Sequence, residues 1–401
     1  MEVYRAPLQI TEVVVGAQED LRPRTRCGYL VSEAYSCYES ALGETGAVAS
    51  GKALHFAADL VCSGGIDIWI RGAYSYAIQH ISLANPRIFV YLKQRFTELD
   101  KKIQQLAQES FYSNPDVQAS IGETVLILQL CPKRSKIVWP KVEPHTKSPG
   151  WLRGVASAPE TRATRLVWSS DGDTPPLYLV ANELCKAITE AASERVLFWI
   201  RWTMEEDARI RKETKGHGFS TRERGPAATP IINGKSSAVN PKQRSDAGHF
   251  IAALLGEIYK ELAAKSLVRM HEEFGELMRL WRGGEGRMPA RCKRDCLALM
   301  ALIVSEVPRW KVPAAPVLVE DPVRLSRAVG QSSSFFREVL AFTPLAPSKL
   351  LKPNMTRAPK SQTAKPNAKN TKALEKANKE LSMEEHFDAY DAVMEAYLNR
   401  Q

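Results

Sequence analysis

The sequence predicts an all-α protein: a globular helical bundle of two lobes, followed by a disordered basic linker and a C-terminal amphipathic helix. Three observations support this class. Apolar residues recur at helical spacing over most of the chain. Prolines interrupt these runs at places that suit helix boundaries. No heptad repeat is sustained, which favours a globular bundle over a coiled coil. The 401 residues are 44% hydrophobic, enough for a buried core.

The first part of the chain is expected to contain an arm and a helical domain. Residues 1–28 are predicted to form an N-terminal arm or a short edge strand, because Ile10–Val15 is rich in β-branched side chains. Residues 29–140 are predicted to form the first helical domain. Its helical runs are Ser32–Leu42, Ala53–Val61, Ile66–Ile81, Ile88–Phe111 and Ile121–Leu130.

The middle of the chain is expected to hold a linker and a second helical domain. Residues 141–176 are rich in Pro, Gly, Ser and Arg, which indicates a linker or an irregular insertion. Residues 177–312 form the second predicted domain, with helical runs over 177–212, 247–282 and 292–310. Within it, residues 214–246 have little apolar content and are expected to be a long loop, either functional or disordered. Residues 313–348 are predicted to be irregular, with a short helix over 332–342.

The C-terminal end separates into a basic and an acidic segment. Residues 349–380 carry nine Lys or Arg against two Glu and few apolar side chains, which predicts a disordered basic linker. Residues 381–401 carry five acids against one Arg, and Ser382 with Glu385 matches a capping box. A short amphipathic helix is therefore expected there, which either docks on its own core or binds an unidentified protein. Its partner-binding face comprises Met383, Phe387, Tyr390, Met394, Tyr397 and Leu398.

The net charge of +10 indicates contact with DNA or RNA, with a merely solvated basic face as the alternative. The candidate contact residues lie in the long loop, before the last helix of the second domain and in the basic linker. They are Lys215, Arg222, Arg224, Arg287, Arg291, Lys293, Arg294, Lys360, Lys365, Lys369 and Lys372. Loop Phe219 and linker Trp151 are further candidates for stacking on bases. By contrast, Trp69, Trp199 and Trp202 are expected in the core.

No catalytic, cofactor or metal site is predicted, and we expect the protein not to be an enzyme. Gly46–Ala53 resembles a phosphate-binding loop, but Ala53 stands where the motif needs a hydroxyl for Mg²⁺. A turn between two helices is the preferred interpretation. Cys292 and Cys296 lack two further ligands for zinc and are expected to be buried thiols. His80 is expected to be a satisfied histidine, and Glu205–Asp207 the exposed end of a helix.

The sequence favours an intracellular location, nuclear or cytoplasmic, with association with a virion as the alternative. Seven thinly spread cysteines without a C-x-x-C pair argue against a disulfide framework. No apolar run of about 18 residues is present, so no membrane span is expected. The start lacks a basic region followed by an apolar core, so no secretory signal is expected either.

One stretch carries a family resemblance. Ala53-Leu54-His55-Phe56, then Gly64-Gly65, then Ile81–Pro86 resemble the C-terminal helical region of the clamp-loader-type AAA+ ATPases called RarA or MgsA, which include the Werner-interacting ATPase. Gly122–Ser135 is similar to a further helix of that region, so the resemblance covers about residues 35–140. Gln79-His80 replaces an acidic pair of the family, and Ser82 replaces a glycine. No ATPase domain precedes the match in this sequence.

The resemblance implies a helical collar or oligomerisation module without a motor and without catalytic residues. Together with the charge, it predicts a non-enzymatic scaffold or accessory protein of DNA replication or repair. We expect this protein to self-associate through its helical body and to bind a partner through the C-terminal helix. The alternative is a viral nucleocapsid-like or virion structural protein that binds nucleic acid.

Overall fold

The computed structural model describes residues 23–106, 111–134, 136–147, 150–230, 236–267, 271–283, 289–306 and 318–342. Over these residues most of the chain is helical, so the predicted all-α class is confirmed. One short antiparallel hairpin pairs β1 (Ala228–Pro230) with β2 (Ser236–Ala238). The predicted strand at Ile10–Val15, the basic linker 349–380 and the terminal helix 381–401 lie outside the described residues.

The first predicted domain folds into helices close to those expected. They are α1 (Val31–Gly43), α2 (Ala47–Cys62), α3 (Ile66–Tyr76), α4 (Arg87–Gln105) and α5 (Pro115–Leu130). α5 begins where the sequence favours a helix start: Pro115 occupies the first turn, and the Asn114 side chain accepts hydrogen bonds from the amides of Asp116 (2.9 Å) and Val117 (3.3 Å).

The connection from α3 to α4 contains one part of the family resemblance, Ile81–Pro86. A π-helical turn, Ala77–Ile81, is followed by a single 3-10 turn, Ser82–Ala84, and Pro86 caps α4. Ser82 has φ 54° and ψ −133°, a backbone conformation that glycine adopts at lower cost than serine. The resembled family has glycine at this position.

The rest of the described chain continues as helices. They are α6 (Trp151–Val155), α7 (Arg162–Val167), α8 (Pro175–Thr189), α9 (Ser193–Thr214), α10 (Pro241–Arg244), α11 (Ala247–Ala264), α12 (His271–Trp281), α13 (Ala290–Glu306), α14 (Pro322–Gly330) and α15 (Ser332–Ala341). Two predicted runs are interrupted. Ala191 has φ 51° and separates α8 from α9, and Ser266 has φ 55° after the end of α11. None of the described helices is both long and apolar enough to cross a bilayer.

Residues 141–176, predicted as a linker or an irregular insertion, pack into the core over their described part. α6 and α7 bury Leu152, Ala163 and Val167. The Glu183 side chain on α8 accepts hydrogen bonds from the amides of Ser157 (2.6 Å) and Ala158 (2.7 Å) and so holds the segment between the two short helices. A few apolar residues and two bonds to one carboxylate are enough to fix a segment that its composition marks as irregular.

One continuous cluster of buried side chains runs from α1 to α15 and contains residues of both predicted helical domains. Trp69, Trp199 and Trp202 belong to it, at 0%, 6% and 4% exposure, which confirms their predicted core positions. α8 packs on α9, α12 and α11 pack on α13, and α15 packs on α2. The boundary between the two domains at 141–176 stays a prediction.

A buried carboxylate joins α4 to α12. Glu276 on α12 is 6% exposed, and its oxygens accept from Lys93 Nζ on α4 (2.5 Å) and from Arg279 Nε (2.7 Å). Arg279 also donates to the Tyr74 hydroxyl on α3 (3.1 Å). Because the carboxylate is shielded from water and meets two cations, this contact links the two predicted domains electrostatically.

Candidate nucleic-acid interface

The candidate interface is built around an extended segment, residues 136–143, that follows α5. The amide of Arg134 donates to the carbonyl of His80 in the π-helical turn (2.9 Å). Further along, Arg201 on α9 donates to the carbonyls of Trp139 (3.4 Å) and Pro140 (3.1 Å). These bonds hold the segment across the first turns of α13.

Trp139 fixes the position of the segment against α13. Its indole N–H donates to Asp295 Oδ1 (3.0 Å), and the guanidinium carbon of Arg294 lies 5.2 Å from the centre of its ring. Burial raises the pKa of Asp295, while the Trp139 bond and the nearby Arg294, Arg291 and Lys136 oppose that rise. One buried carboxylate, 7% exposed, therefore lies among three cationic side chains.

Lys293 extends this group of cations toward the start of α11. Its ammonium lies 5.7 Å from the centre of the Trp281 ring, and it is close enough to Asp246 to help lower that residue's pKa. A hydrogen bond from His249 to Asp246 (2.8 Å) acts in the same direction. We call Lys136, Arg291, Lys293 and Arg294 the basic cluster. The first is exposed, and the other three are half-buried.

A cavity of about 470 Å³ adjoins Asp246, between the end of α9, α10 and the start of α11. Arg211 lines it, and its guanidinium is bonded to Asp207 Oδ2 (2.6 Å) and to the carbonyls of Lys242 (2.6 Å) and Ser245 (2.9 Å). Lys215 and Lys242 are exposed at this site. The cavity is lined by Met204, Asp207, Ala208, Arg211, Lys215, Gly216, Lys242, Gln243, Asp246 and Gly248.

One of the predicted contact residues, Arg224, is bound inside the fold, and a second, Arg222, lies beside the same buried acid. Arg224 is 12% exposed and donates to Asp173 Oδ2 (2.5 Å), whose side chain is fully buried. Ser220 Oγ also donates to Asp173 (2.7 Å), and Arg222, 44% exposed, lies 3.7 Å from the same carboxylate. The structure therefore separates the loop cations: Lys215 lies at the cavity, whereas Arg222 and Arg224 face a buried acid.

The predicted stacking of a base on Phe219 is wrong. Phe219 is 4% exposed and stacks on Trp202, with ring centres 6.0 Å apart, so it belongs to the core. Trp151 is half-buried against Phe198, Trp199 and Trp202, at centre distances of 5.9 to 6.2 Å. Stacking of a base on Trp151 stays a prediction.

The resemblance to a phosphate-binding loop ends in a helix. Gly46 caps α2 with φ 101°, and the amide of Ser50 donates to the Gly46 carbonyl (3.1 Å) in the first turn of the helix. From Ser50 onward the amides are therefore used within the helix, and Lys52 is exposed on its surface. The predicted turn between two helices is present but shorter than expected, because α2 begins at Ala47 and not after Gly51.

His80, Cys292 and Cys296, the histidine and cysteines considered as chemical groups, are packed within the fold. His80 stacks on Tyr76, with ring centres 4.5 Å apart, and its Nε2 lies 3.6 Å from a Glu39 oxygen. Cys292 and Cys296 are both 1% exposed, as expected of buried thiols. No group of metal-binding side chains occurs among the described residues.

The prediction for Glu205–Asp207 is wrong. Glu206 and Asp207 are 6% and 4% exposed in the body of α9, not at an exposed helix end. Asp207 accepts from the amides of Phe219 (2.7 Å) and Ala247 (3.3 Å), which tie the long loop and α11 to α9. The sequence could not predict that these carboxylates are buried acceptors, because their donors are distant along the chain.

Several predicted residues lie outside the described part of the chain. These are Arg287, the linker residues Lys360, Lys365, Lys369 and Lys372, and the partner-binding face Met383, Phe387, Tyr390, Met394, Tyr397 and Leu398. Conversely, sequence reasoning missed Lys136 and Arg211. The basic run Lys133-Arg134-Ser-Lys136 after Pro132 was the available signal for the first of these two.

Comparison of this chain with known proteins identified no relative. A scan against models of protein families, a search of curated proteins and a search of solved structures each found no match. The resemblance to the RarA or MgsA helical region therefore stays a prediction that rests on the quoted residues.

Proposed function

We propose that the protein is a nucleic-acid-binding scaffold protein that catalyses no reaction itself and serves DNA replication or repair. One observation carries the proposal. Lys136 and the start of α13, more than 150 residues apart in the chain, meet where Lys136, Arg291 and Arg294 lie near one buried carboxylate, Asp295, and Lys293 adjoins Arg294 in the chain. Clustered cations with partly exposed side chains attract the phosphate backbone without reading its sequence.

The basic linker adds to this attraction. Residues 349–380 carry nine cations against two acids. A segment of that composition increases the local concentration of polyanion around the helical body and strengthens binding at low salt. In the proposed function, the helical body self-associates and the terminal segment 381–401 binds a second protein. The helical body and the basic cluster then position a nucleic acid between the partners.

The test is binding of a fluorescein-labelled single-stranded DNA to the full chain, measured by anisotropy between about 50 and about 300 mM NaCl. The variant Lys136→Gln/Arg291→Gln removes two cluster cations. Its matched control, Lys52→Gln/Lys101→Gln, removes two exposed lysines from α2 and α4 and changes the net charge equally. We expect the slope of log K against log salt to shrink by about 1.4 in the first variant and to stay unchanged in the control.

Equal slopes in the wild type and both variants would show that the basic cluster does not contact phosphates. Negative-stain images of the protein mixed with RNA separate the two functional classes. Discrete small complexes agree with the proposed scaffold, whereas regular beaded or filamentous particles favour a nucleocapsid-like protein.

A further inference from the structure

We propose that the cavity at the end of α9 binds a nucleotide unit through its phosphate. This inference deepens the proposed function and rests on it, because it assigns a defined pocket to one part of the nucleic acid. The phosphate is expected between the exposed Lys215 and Lys242, which we call the mouth, and the sugar and base against Met204 and Ala208. The cavity volume of about 470 Å³ lies in the range of small-molecule sites.

The charges around the cavity favour a phosphate. Among its lining residues, three are cationic and two are acidic, and both acids are already occupied by the protein. Asp207 accepts from Arg211 and from two backbone amides, and Asp246 accepts from the amide and the ring of His249. The cations at the mouth are therefore the groups left to meet a ligand.

The two lysines differ from Arg211 in what they bind. Within the described residues, neither Lys215 nor Lys242 has a carboxylate within ion-pair distance, and both are exposed. Lys242 Nζ donates one hydrogen bond to the Lys215 carbonyl (3.1 Å), which brings the two residues together. An ammonium has three donors, so two remain on Lys242 for phosphate oxygens.

The rest of the lining offers contacts for the neutral part of a nucleotide. The half-buried Met204 and the exposed Ala208 supply apolar surface from α9, and a thioether packs well against a flat ring. The exposed Gln243 supplies both a donor and an acceptor for the edge of a base.

The ligand has two sources with the same chemistry, a free nucleotide and the terminal nucleotide of a strand. The first arm titrates the full chain with AMP and with adenosine by calorimetry. The second arm measures anisotropy with a short oligothymidylate, with and without a terminal phosphate. Binding of AMP but not adenosine supports a free nucleotide, and tighter binding of the phosphorylated strand supports a strand end.

Three variants connect either result to the cavity. Lys242→Ala removes a phosphate donor, and we expect binding of the phosphorylated probe to weaken about 10-fold. Ala208→Trp fills the cavity without changing the charge and is expected to weaken the same binding at least about 10-fold. Lys212→Ala removes one exposed charge from the same helix without touching the cavity, so it is the matched control and should bind like the wild type.

The inference is overturned if AMP gives no heat at about 5 mM and the terminal phosphate does not change strand binding. It is also overturned if Ala208→Trp leaves the binding of every phosphorylated probe unchanged. This failure is distinguishable from failure of the proposed function, because binding through the basic cluster depends on Lys136 and Arg291 and not on the cavity. Salt-dependent strand binding that persists in Ala208→Trp would keep the proposed function while rejecting the pocket.

Discussion

The buried ion pair between Asp173 and Arg224 gives a prediction that separates structural cations from binding cations. The Asp173 side chain is fully buried and accepts from Arg224 (2.5 Å), from Ser220 Oγ (2.7 Å) and from the Ser169 amide (3.0 Å). Asp173→Ala removes all three bonds and leaves the guanidinium, 12% exposed, without a counter-charge. Removing one partner of a buried pair costs about 3–5 kcal/mol of unfolding free energy.

A surface pair of similar length is the control. Arg209 and Glu213 approach to 2.6 Å, but Glu213 is 58% exposed and both charges stay hydrated. Glu213→Ala should therefore cost less than about 0.5 kcal/mol. The double change Asp173→Ala/Arg224→Met removes both buried charges and should cost about 2 kcal/mol less than the sum of the two single changes.

The assay is urea denaturation followed by far-UV circular dichroism, with all variants measured at the same pH. If Asp173→Ala costs no more than Glu213→Ala, burial does not decide the strength of these pairs and the reasoning fails. Strand binding provides a second readout. Because Arg224 is held by Asp173, Arg224→Met should leave the salt slope unchanged, and a fall of about 0.7 would show that Arg224 contacts a phosphate.

Three further predictions follow from single residues. Glu276→Gln keeps the size of the buried side chain but removes the charge that binds Lys93, and should cost about 2–4 kcal/mol in the same urea titration. A change below about 0.5 kcal/mol would mean that this contact does not join α4 to α12. Asp295→Asn keeps an acceptor for the Trp139 indole and removes the buried carboxylate near Lys136, Arg291 and Arg294, so DNA binding at low salt should tighten about 2-fold. Weaker binding would contradict this. Ser82→Gly removes the backbone strain of a serine at φ 54° and should raise the melting temperature, because that strain costs about 1 kcal/mol or more. A lower melting temperature would show that the serine is preferred.

Helical periodicity predicted the helices of the first domain well because their apolar faces lie along the sequence itself. It failed at Ala191, where an alanine adopts φ 51° and ends α8. No glycine or proline marks that break, so local sequence rules could not locate it. It also failed over 141–176, where Leu152, Ala163 and Val167 are too few to form a visible pattern but sufficient to anchor two short helices.

The candidate site was predicted only in part. Charge clustering found Arg291, Lys293 and Arg294 because they are adjacent in the sequence. The contribution of Lys136 depends on Trp139 reaching Asp295 across 156 residues, and no local pattern contains that information. The cavity was missed for the same reason, since its walls come from α9, α10 and α11 and exist only after the chain has folded.

Sequence charge alone could not show which cations of the long loop are buried and which are exposed, because their partners are distant in the chain. The chemistry of the guanidinium and ammonium groups explains the difference. A guanidinium carries five donors in a fixed plane and can satisfy a carboxylate and several carbonyls at once, as Arg211 and Arg224 do here. An ammonium is more strongly hydrated and stays at the surface, as Lys136, Lys215 and Lys242 do. A basic segment that folds against buried acids therefore tends to use its arginines inside and to leave its lysines for a ligand. Binding in this protein should accordingly respond to Lys136 and Lys242 before it responds to Arg224.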